Sequence, residues 1–333
     1  MDVIKREETG KMERNLALEA VRVTEAAALA ASKLTGRGDE KAADQVAVDA
    51  MRQALNGLAI DGTVVIGEGE RDEAPMLYIG EKVGCGGPKI DIALDPLEGT
   101  TICATGGPNS LAVIAMAEKG GFLNAPDVYM DKIAIGGGYK PGLIDIDRPI
   151  SDNLKMLAAA KNCNVQDLVV CILERPRHEK LVADVRACGS KVYLIGDGDV
   201  SAIIATALPE SEIDLYVGSG GAPEGVLAAA ALRCIGGQMQ ARLVFRNDVE
   251  RERAAKWGVT DLNRKYEMED LASGDVMFAA TGVTDGSLLK GVWRKGSFAK
   301  THSIVMRSKS ATVRFVEAQH NFAVKTGFAP HDF

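Results

Sequence analysis

Six consecutive residues, Asp95-Pro96-Leu97-Glu98-Gly99-Thr100, carry the densest chemical signal in this 333-residue sequence. They follow an apolar run, Ile90-Asp91-Ile92-Ala93-Leu94, that reads as a strand. Two acids at a strand end are poor choices for a plain turn. Pro96 fixes φ and bends the chain away from the strand, so that Asp95, the Leu97 carbonyl and Glu98 converge on one point. Three oxygen groups suit Mg2+ or Mn2+, which take hard oxygen ligands and keep several waters. Gly99 lets backbone approach a ligand closely. Gly99 and Thr100 would open a helix, whose free N–H groups favour a phosphate. A second acidic stretch, Gly67-Glu68-Gly69-Glu70, also follows a short apolar run, residues 63–66. Glu68 stands first after that strand end and is the better ligand candidate, with Glu70 and Asp72 farther out or facing solvent. Alone this stretch reads as a polar loop. Beside the Asp95 motif it reads as a further oxygen ligand.

Elements must hold these acids in place. Apolar residues at spacings of three and four predict a helix over 12–34, broken by Gly36-Arg37-Gly38-Asp39, and a second over 42–55 with Asp44 in its first turn. Residues 111–116 form a continuous apolar run, as a buried central strand does. The later chain three times repeats an apolar strand, a polar loop and a helix. The strands are 168–173, 191–195 and 213–217, and the helices are 179–187, 199–207 and 225–235. That alternation implies a sheet covered by helices, with ligands beyond the carboxyl ends of the strands. The loops there hold Arg175-Pro176-Arg177-His178, Asp197-Gly198-Asp199 and Gly218 to Gly225, including Glu224. A soft boundary near 139–151 divides the chain into an N-terminal half, 1–145, and a C-terminal half, 146–322, with a tail over 323–333.

The formal net charge is −7, which argues against a nucleic-acid protein, where a basic face is usual. It does not forbid an anionic substrate, because an arginine cluster or a bound metal can invert the potential of one cleft. No apolar run reaches the ~18–20 residues of a membrane span, and residues 1–11 lack the apolar core of a signal peptide. The six cysteines show no CxxC spacing and read as buried, reduced thiols of a cytoplasmic protein.

The set GEG (67–69), DEAPMLYIGE (72–81), DPLEGT (95–100), NAPDVYM (124–130), RPRH (175–178), DGD (197–199) and GGAPEG (220–225) resembles the class II fructose-1,6-bisphosphatases. These belong to the lithium-sensitive, metal-dependent sugar phosphatases, which include the inositol monophosphatases. The resemblance spans about 16–322 and implies an α/β fold, layered α-β-α-β-α, with mixed sheets between helices. It implies hydrolysis of the 1-phosphate of fructose 1,6-bisphosphate by a metal-activated water, with Mn2+ or Mg2+ as cofactor and a dimer or tetramer as the assembly. Asp44, Glu68, Asp95, Glu98 and Glu224 match the metal ligands. Glu98, Gly99, Thr100, Tyr129, Arg175, Pro176, Arg177, Asp197, Gly198, Asp199 and Gly221 match the substrate contacts. In that frame Thr100 orients or deprotonates the attacking water, with Asp72 as its carboxylate partner. Arg175 and Arg177 would grip the distal phosphate bidentately, and Asp197 and Asp199 would take sugar hydroxyls. Tyr129 would hydrogen-bond phosphate or sugar. His178 reads as loop structure or a minor substrate contact. Many relatives carry a lysine where this chain has Glu40, with Lys41 next, which bears on metal preference.

A broader bisphosphatase that also takes sedoheptulose 1,7-bisphosphate fits the same residues. A non-catalytic sugar-phosphate sensor would be expected to have lost an acid or Thr100, and all are present. A nicotinamide dehydrogenase would need a GxGxxG fingerprint, which Gly136-Gly137-Gly138 and Gly218-Ser219-Gly220-Gly221 do not supply.

Overall fold

A computed structural model describes Met12 and residues 15–69 and 76–325. The chain first lays down strands β1 (Asp61–Ile66), β2 (Lys82–Val83), β3 (Lys89–Glu98) and β4 (Leu111–Glu118). It continues with β5 (Tyr129–Ile135), β6 (Val169–Leu173), β7 (Lys191–Ile195), β8 (Leu215–Gly221), β9 (Gln238–Val244) and β10 (Tyr266–Glu267). It ends with β11 (Val276–Gly282), β12 (Trp293–Lys295), β13 (Phe298–Arg307) and β14 (Thr312–Asn321). The first and last groups join in one eight-stranded sheet, in the order β12-β13-β11-β4-β3-β1-β2, with β14 on the free side of β13. The middle group forms a six-stranded sheet, β10-β9-β5-β8-β6-β7. Both sheets are mixed: β1–β3, β6–β7 and β6–β8 are parallel pairs and the rest antiparallel. The division into sheets is not the division into halves at residue 145, because β5 already belongs to the second sheet and β11 returns to the first.

Helices fill the remaining layers: α1 (Leu16–Ala31), α2 (Glu40–Asn56), α3 (Thr100–Thr105), α4 (Ile150–Lys161), α5 (Glu179–Ala187), α6 (Asp199–Ala205), α7 (Ala222–Ile235), α8 (Asp248–Lys256) and α9 (Met268–Leu271). One core joins α1 and α2 to the outer face of the larger sheet. A second lies between the sheets around α6 and α7. A third joins α4 and α5 to the far face of the smaller sheet. The order is therefore α-β-α-β-α. Strand β4 shows why its apolar run is continuous: Ala112, Ile114 and Met116 enter the first core while Leu111, Val113, Ala115 and Ala117 enter the second. Helix α7 is buried on all sides, and the run Ala228 to Ala231 keeps it thin enough to lie between two sheets. No helix of the described residues is long and apolar enough to cross a membrane. The six cysteines are free; Cys103, Cys171 and Cys234 are buried as expected, whereas Cys85 is exposed.

Three local expectations change. The Asp95 motif is not a turn: β3 runs through Glu98, with a register shift against β4 between Asp95 and Glu98. Pro96 has no N–H to give the ladder, and a bulge is where a sheet tolerates that. Residues 218–221 are strand rather than loop, paired one for one with β5 from Gly218↔Lys132 to Gly221↔Tyr129. Helix α2 begins at Glu40, because the Asp39 side chain accepts the Ala42 N–H at 3.0 Å and caps it. Asp44 therefore lies in its second turn.

Candidate active site

A cleft of about 530 Å³ draws its walls from both sheets. The larger sheet supplies Glu68, just beyond β1, and Asp95 and Glu98 from the bulged end of β3, while α2 supplies Asp44. The smaller sheet supplies Tyr129 at the start of β5, Arg175 and Arg177 after β6, Asp197 and Asp199 after β7, Gly221 at the end of β8 and Glu224 just beyond it. Gly99 and Thr100 close one end. Gly99 adopts φ 77° as the cap of α3, a left-handed conformation that glycine takes without strain, and Thr100 is the first helical residue.

The carboxylates are pinned from behind. Asp95 Oδ1 accepts the Leu97 N–H at 3.0 Å, the contact that folds the bulge back on itself. Glu98 Oε1 accepts the Val200 N–H at 3.1 Å, so the β3 motif is tied directly to the first turn of α6. The remaining oxygen of Glu98, Oε2, and Oε2 of Glu224 are buried without a hydrogen-bond partner. Burial is the main cause of raised carboxyl pKa values here. Glu68 is pushed up to about 8, with the charges of Asp44 and Glu224 adding to it. Glu224 is pushed up to about 7 by burial and then by Asp199, with Lys132 opposing. Asp95 lies well above the usual range, through burial and then Glu68 and Glu224. Glu98 does too, through burial, Asp199 and Asp95. Asp44 is raised by burial alone.

Such a cluster fits a hard divalent cation. The donors are all carboxylate oxygens, two of them buried and orphaned, and like charges in low dielectric call for a counter-ion. As they stand, no three of the described His, Cys, Asp or Glu side chains are gathered to hold one ion. The fit to a cation therefore rests on the donor chemistry and the orphaned oxygens, not on the spacing of the side chains.

The opposite wall is basic and differently built. Pro176 opens a 3-10 turn, Pro176–His178, and does not itself line the cleft, whereas Arg175 and Arg177 do. Arg175 Nη1 donates to the Gly196 carbonyl at 2.5 Å and the Glu174 carbonyl at 3.0 Å. Arg177 donates through Nε and Nη2 to the Ser219 carbonyl at 3.1 and 2.6 Å, and its guanidinium lies 4.7 Å from the Tyr129 ring centre. His178 is buried: Nδ1 donates to the Leu173 carbonyl at 2.7 Å and Nε2 accepts the Ser219 N–H at 2.8 Å. It is loop structure, and burial lowers its pKa, which suits the neutral ring those two bonds require. Gly198 caps α6 with φ 87° and, like Pro176, shapes the loop rather than lining the cleft. Glu40 and Lys41 are exposed and do not line it. Asp72 lies outside the described residues.

Sequence reasoning passed over three groups. Asp127 lines the cleft near Glu224. Arg246 lies 4.8 Å from the Tyr129 ring, its guanidinium paired with Glu250. Lys132 is buried, bonded to Asp199 Oδ2 and to the Gly221 carbonyl. The signal for Lys132 was the glycine-rich strand opposite, which leaves a channel for a long side chain.

Comparison with known proteins identifies the family of the chain. The family model described as bacterial fructose-1,6-bisphosphatase, glpX-encoded, matches residues 14–320. The fructose-1,6-bisphosphatase 1 class 2 of Escherichia coli (strain K12) is 50% identical over 323 residues, 93% of this chain and 96% of that one. The fructose-1,6-bisphosphatase class 2 proteins of Escherichia coli O6:H1 and Shigella flexneri match with the same 50% identity and coverage.

Proposed function

The chain belongs to the glpX-encoded bacterial fructose-1,6-bisphosphatases, and from that premise we propose how its cleft is used. It is a phosphoric monoester hydrolase that converts fructose 1,6-bisphosphate to fructose 6-phosphate and phosphate in gluconeogenesis, with a divalent metal cofactor. The observation that carries the assignment of the site is the buried, orphaned carboxylate cluster facing Thr100, with two guanidinium groups on the far wall.

Asp44, Glu68, Asp95, Glu98 and Glu224 would hold Mn2+ or Mg2+. Such an ion offsets phosphate charge, makes water a better nucleophile and stabilises the leaving oxygen. Thr100, fixed at the start of α3, orients the attacking water through its hydroxyl, and Asp72 is its proposed carboxylate partner. Arg175 and Arg177 receive the distal phosphate. Both are already held to carbonyls, so little side-chain freedom is lost when an anion arrives. Tyr129, braced by Arg177, contacts the phosphate or sugar, and Asp197, Asp199 and the backbone at Gly221 take the sugar hydroxyls, with Gly198 shaping the loop between the two acids. Burial raises the pKa of Asp197, so it can also donate a hydrogen bond when protonated. We further propose that it works in the cytoplasm as a homo-oligomer, a dimer or tetramer.

The direct test is phosphate release from fructose 1,6-bisphosphate by chelator-stripped protein, with and without added Mn2+ or Mg2+. Release is expected only with metal, and the faster ion identifies the preferred cofactor; sedoheptulose 1,7-bisphosphate and inositol 1-phosphate rank specificity. Metal-loaded, folded protein that releases nothing would remove the assignment. Arg177→Ala should raise KM for the bisphosphate about 10- to 100-fold, the worth of one charged hydrogen bond, ~1.5–3 kcal/mol. It should leave KM for a monophosphate nearly unchanged. Equal effects on the two substrates would exclude a role at the distal phosphate.

A further inference from the structure

The smaller sheet buries a lysine beside the cleft that the hydrolysis as described does not use. Lys132, on β5, is 1% exposed. Its ammonium donates to Asp199 Oδ2 at 2.5 Å and to the Gly221 carbonyl at 2.9 Å. The Tyr216 hydroxyl donates to the same Asp199 oxygen at 3.3 Å. An ammonium is unfavourable here on two counts. It is stripped of water, and it lies against the first turn of α7, where free N–H groups carry partial positive charge.

The fold nevertheless makes room for it. A Cβ at Gly220 would stand 2.4 Å from Asp199 Oδ2 and 3.0 Å from Lys132 Nζ, and one at Gly225 would stand 3.3 Å from Lys132 Cδ and 2.4 Å from Met130 Sδ. Two glycines therefore keep a channel open for a charged side chain in a place where an apolar one would satisfy packing alone. What the charge adds is a link. Asp199 opens α6 at the end of the loop after β7, and Gly221 leads directly into the first turn of α7, which carries Glu224. The same ammonium holds both, and no other described side chain is bonded to the two together.

We propose that Lys132 is a positioning residue for the hydrolysis, locking the 197–199 loop to the 221–224 turn so that Asp199 and Glu224 keep fixed places around the substrate. With Oδ2 taken by Lys132, Asp199 offers a substrate hydroxyl only its other oxygen, in one orientation. This inference rests on the placement of Asp199 and Glu224 given under the proposed function.

Lys132→Met keeps the shape and removes the charge. The metal-loaded variant, checked for folding by thermal unfolding, should raise KM for fructose 1,6-bisphosphate at least tenfold and lower kcat. In an Asp199→Asn background the same change should move KM less than threefold, because the partner it acts through is already neutral. A merely structural lysine would lower the active fraction, seen as reduced kcat at unchanged KM, and that result overturns the proposal. So does an equal rise in KM in both backgrounds. If Lys132→Met alone fails to fold, the double variant Lys132→Met, Asp199→Asn leaves no unmatched buried charge. Its KM within threefold of Asp199→Asn sustains the proposal, and a further tenfold rise overturns it. Parent protein without any turnover would fail the functional reading instead, whereas an active parent with indifferent variants fails only this one.

Discussion

Asp95→Asn is expected to abolish turnover and yet to make the metal-free protein harder to unfold. Asp95 is buried among Glu68, Glu224 and Asp44, each of which disfavours its charge. Asparagine keeps an oxygen for the Leu97 N–H, so the bulge in β3 survives. What goes is one anionic ligand and one source of repulsion. With metal present, kcat should fall about a thousandfold or more, roughly 4 kcal/mol at 1.36 kcal/mol per decade. In chelator, Tm should rise by ~1–2 °C, the shift that about 1 kcal/mol makes in a chain of 333 residues. Active sites commonly hold such strain, and neutralising it trades function for stability. A variant with parental rates would remove Asp95 from the site; a lower Tm in chelator would show that repulsion is not what strains the cluster.

The second large effect is a reversal of the pH dependence of stability by metal. Without metal, folded Glu68 titrates near 8 and Glu224 near 7, whereas an unfolded glutamate titrates at about 4.3. Folded pKa values above the unfolded ones mean that the folded chain holds protons the unfolded chain has already released. The associated stability is fully present below about pH 4.3 and is lost as pH rises through 7 to 8. Chelator-stripped protein should therefore lose about 4 kcal/mol between pH 6 and 9, or about 4–8 °C of Tm at ~1–2 °C per kcal/mol. Ligands bind metal when deprotonated, so the same rise in pH should strengthen binding. Saturating metal at ~100 Kd adds about 2.7 kcal/mol and should flatten or invert the trend. Thermal unfolding in chelator and in Mn2+ across that range checks both arms. A chelated protein whose Tm rises with pH would contradict the repulsion that the buried cluster implies.

The chemistry was legible where it stood at strand ends. Acids just past β1 and at the end of β3, arginines after β6 and acids after β7 could be read as convergent because a sheet gathers its strand ends. The layered α/β fold was legible for a similar reason, from strands and helices of alternating period. Pairing was not. Nothing local in residues 111–118 indicates that their neighbour is 276–282, since register is set by contacts between distant segments. Lys132 was illegible for another reason. A lysine in Tyr129-Met130-Asp131-Lys132 reads as solvated until the glycines of β8 are seen to face it. The bulge at Pro96 was half legible: proline announced an irregularity, but the strand closed around it instead of turning away.

Strand β4 has a consequence for how the protein is made. It is buried from Leu111 to Ala117 and lies in the middle of the larger sheet, with β3 on one side and β11 on the other. On a ribosome, β3 and β4 emerge together, and the whole set of cleft residues, from Asp44 to Leu227, has been made before β11 appears. Through that interval the open side of β4 is an unpaired, apolar edge on a nascent chain, the kind of surface that recruits wrong partners. The six-stranded sheet can fold meanwhile, but the sheet that carries Asp95 and Glu98 cannot close until β11 and β13 have been made. Pauses or truncations before residue 276 would therefore yield chains that hold the cleft residues named here and still aggregate rather than work.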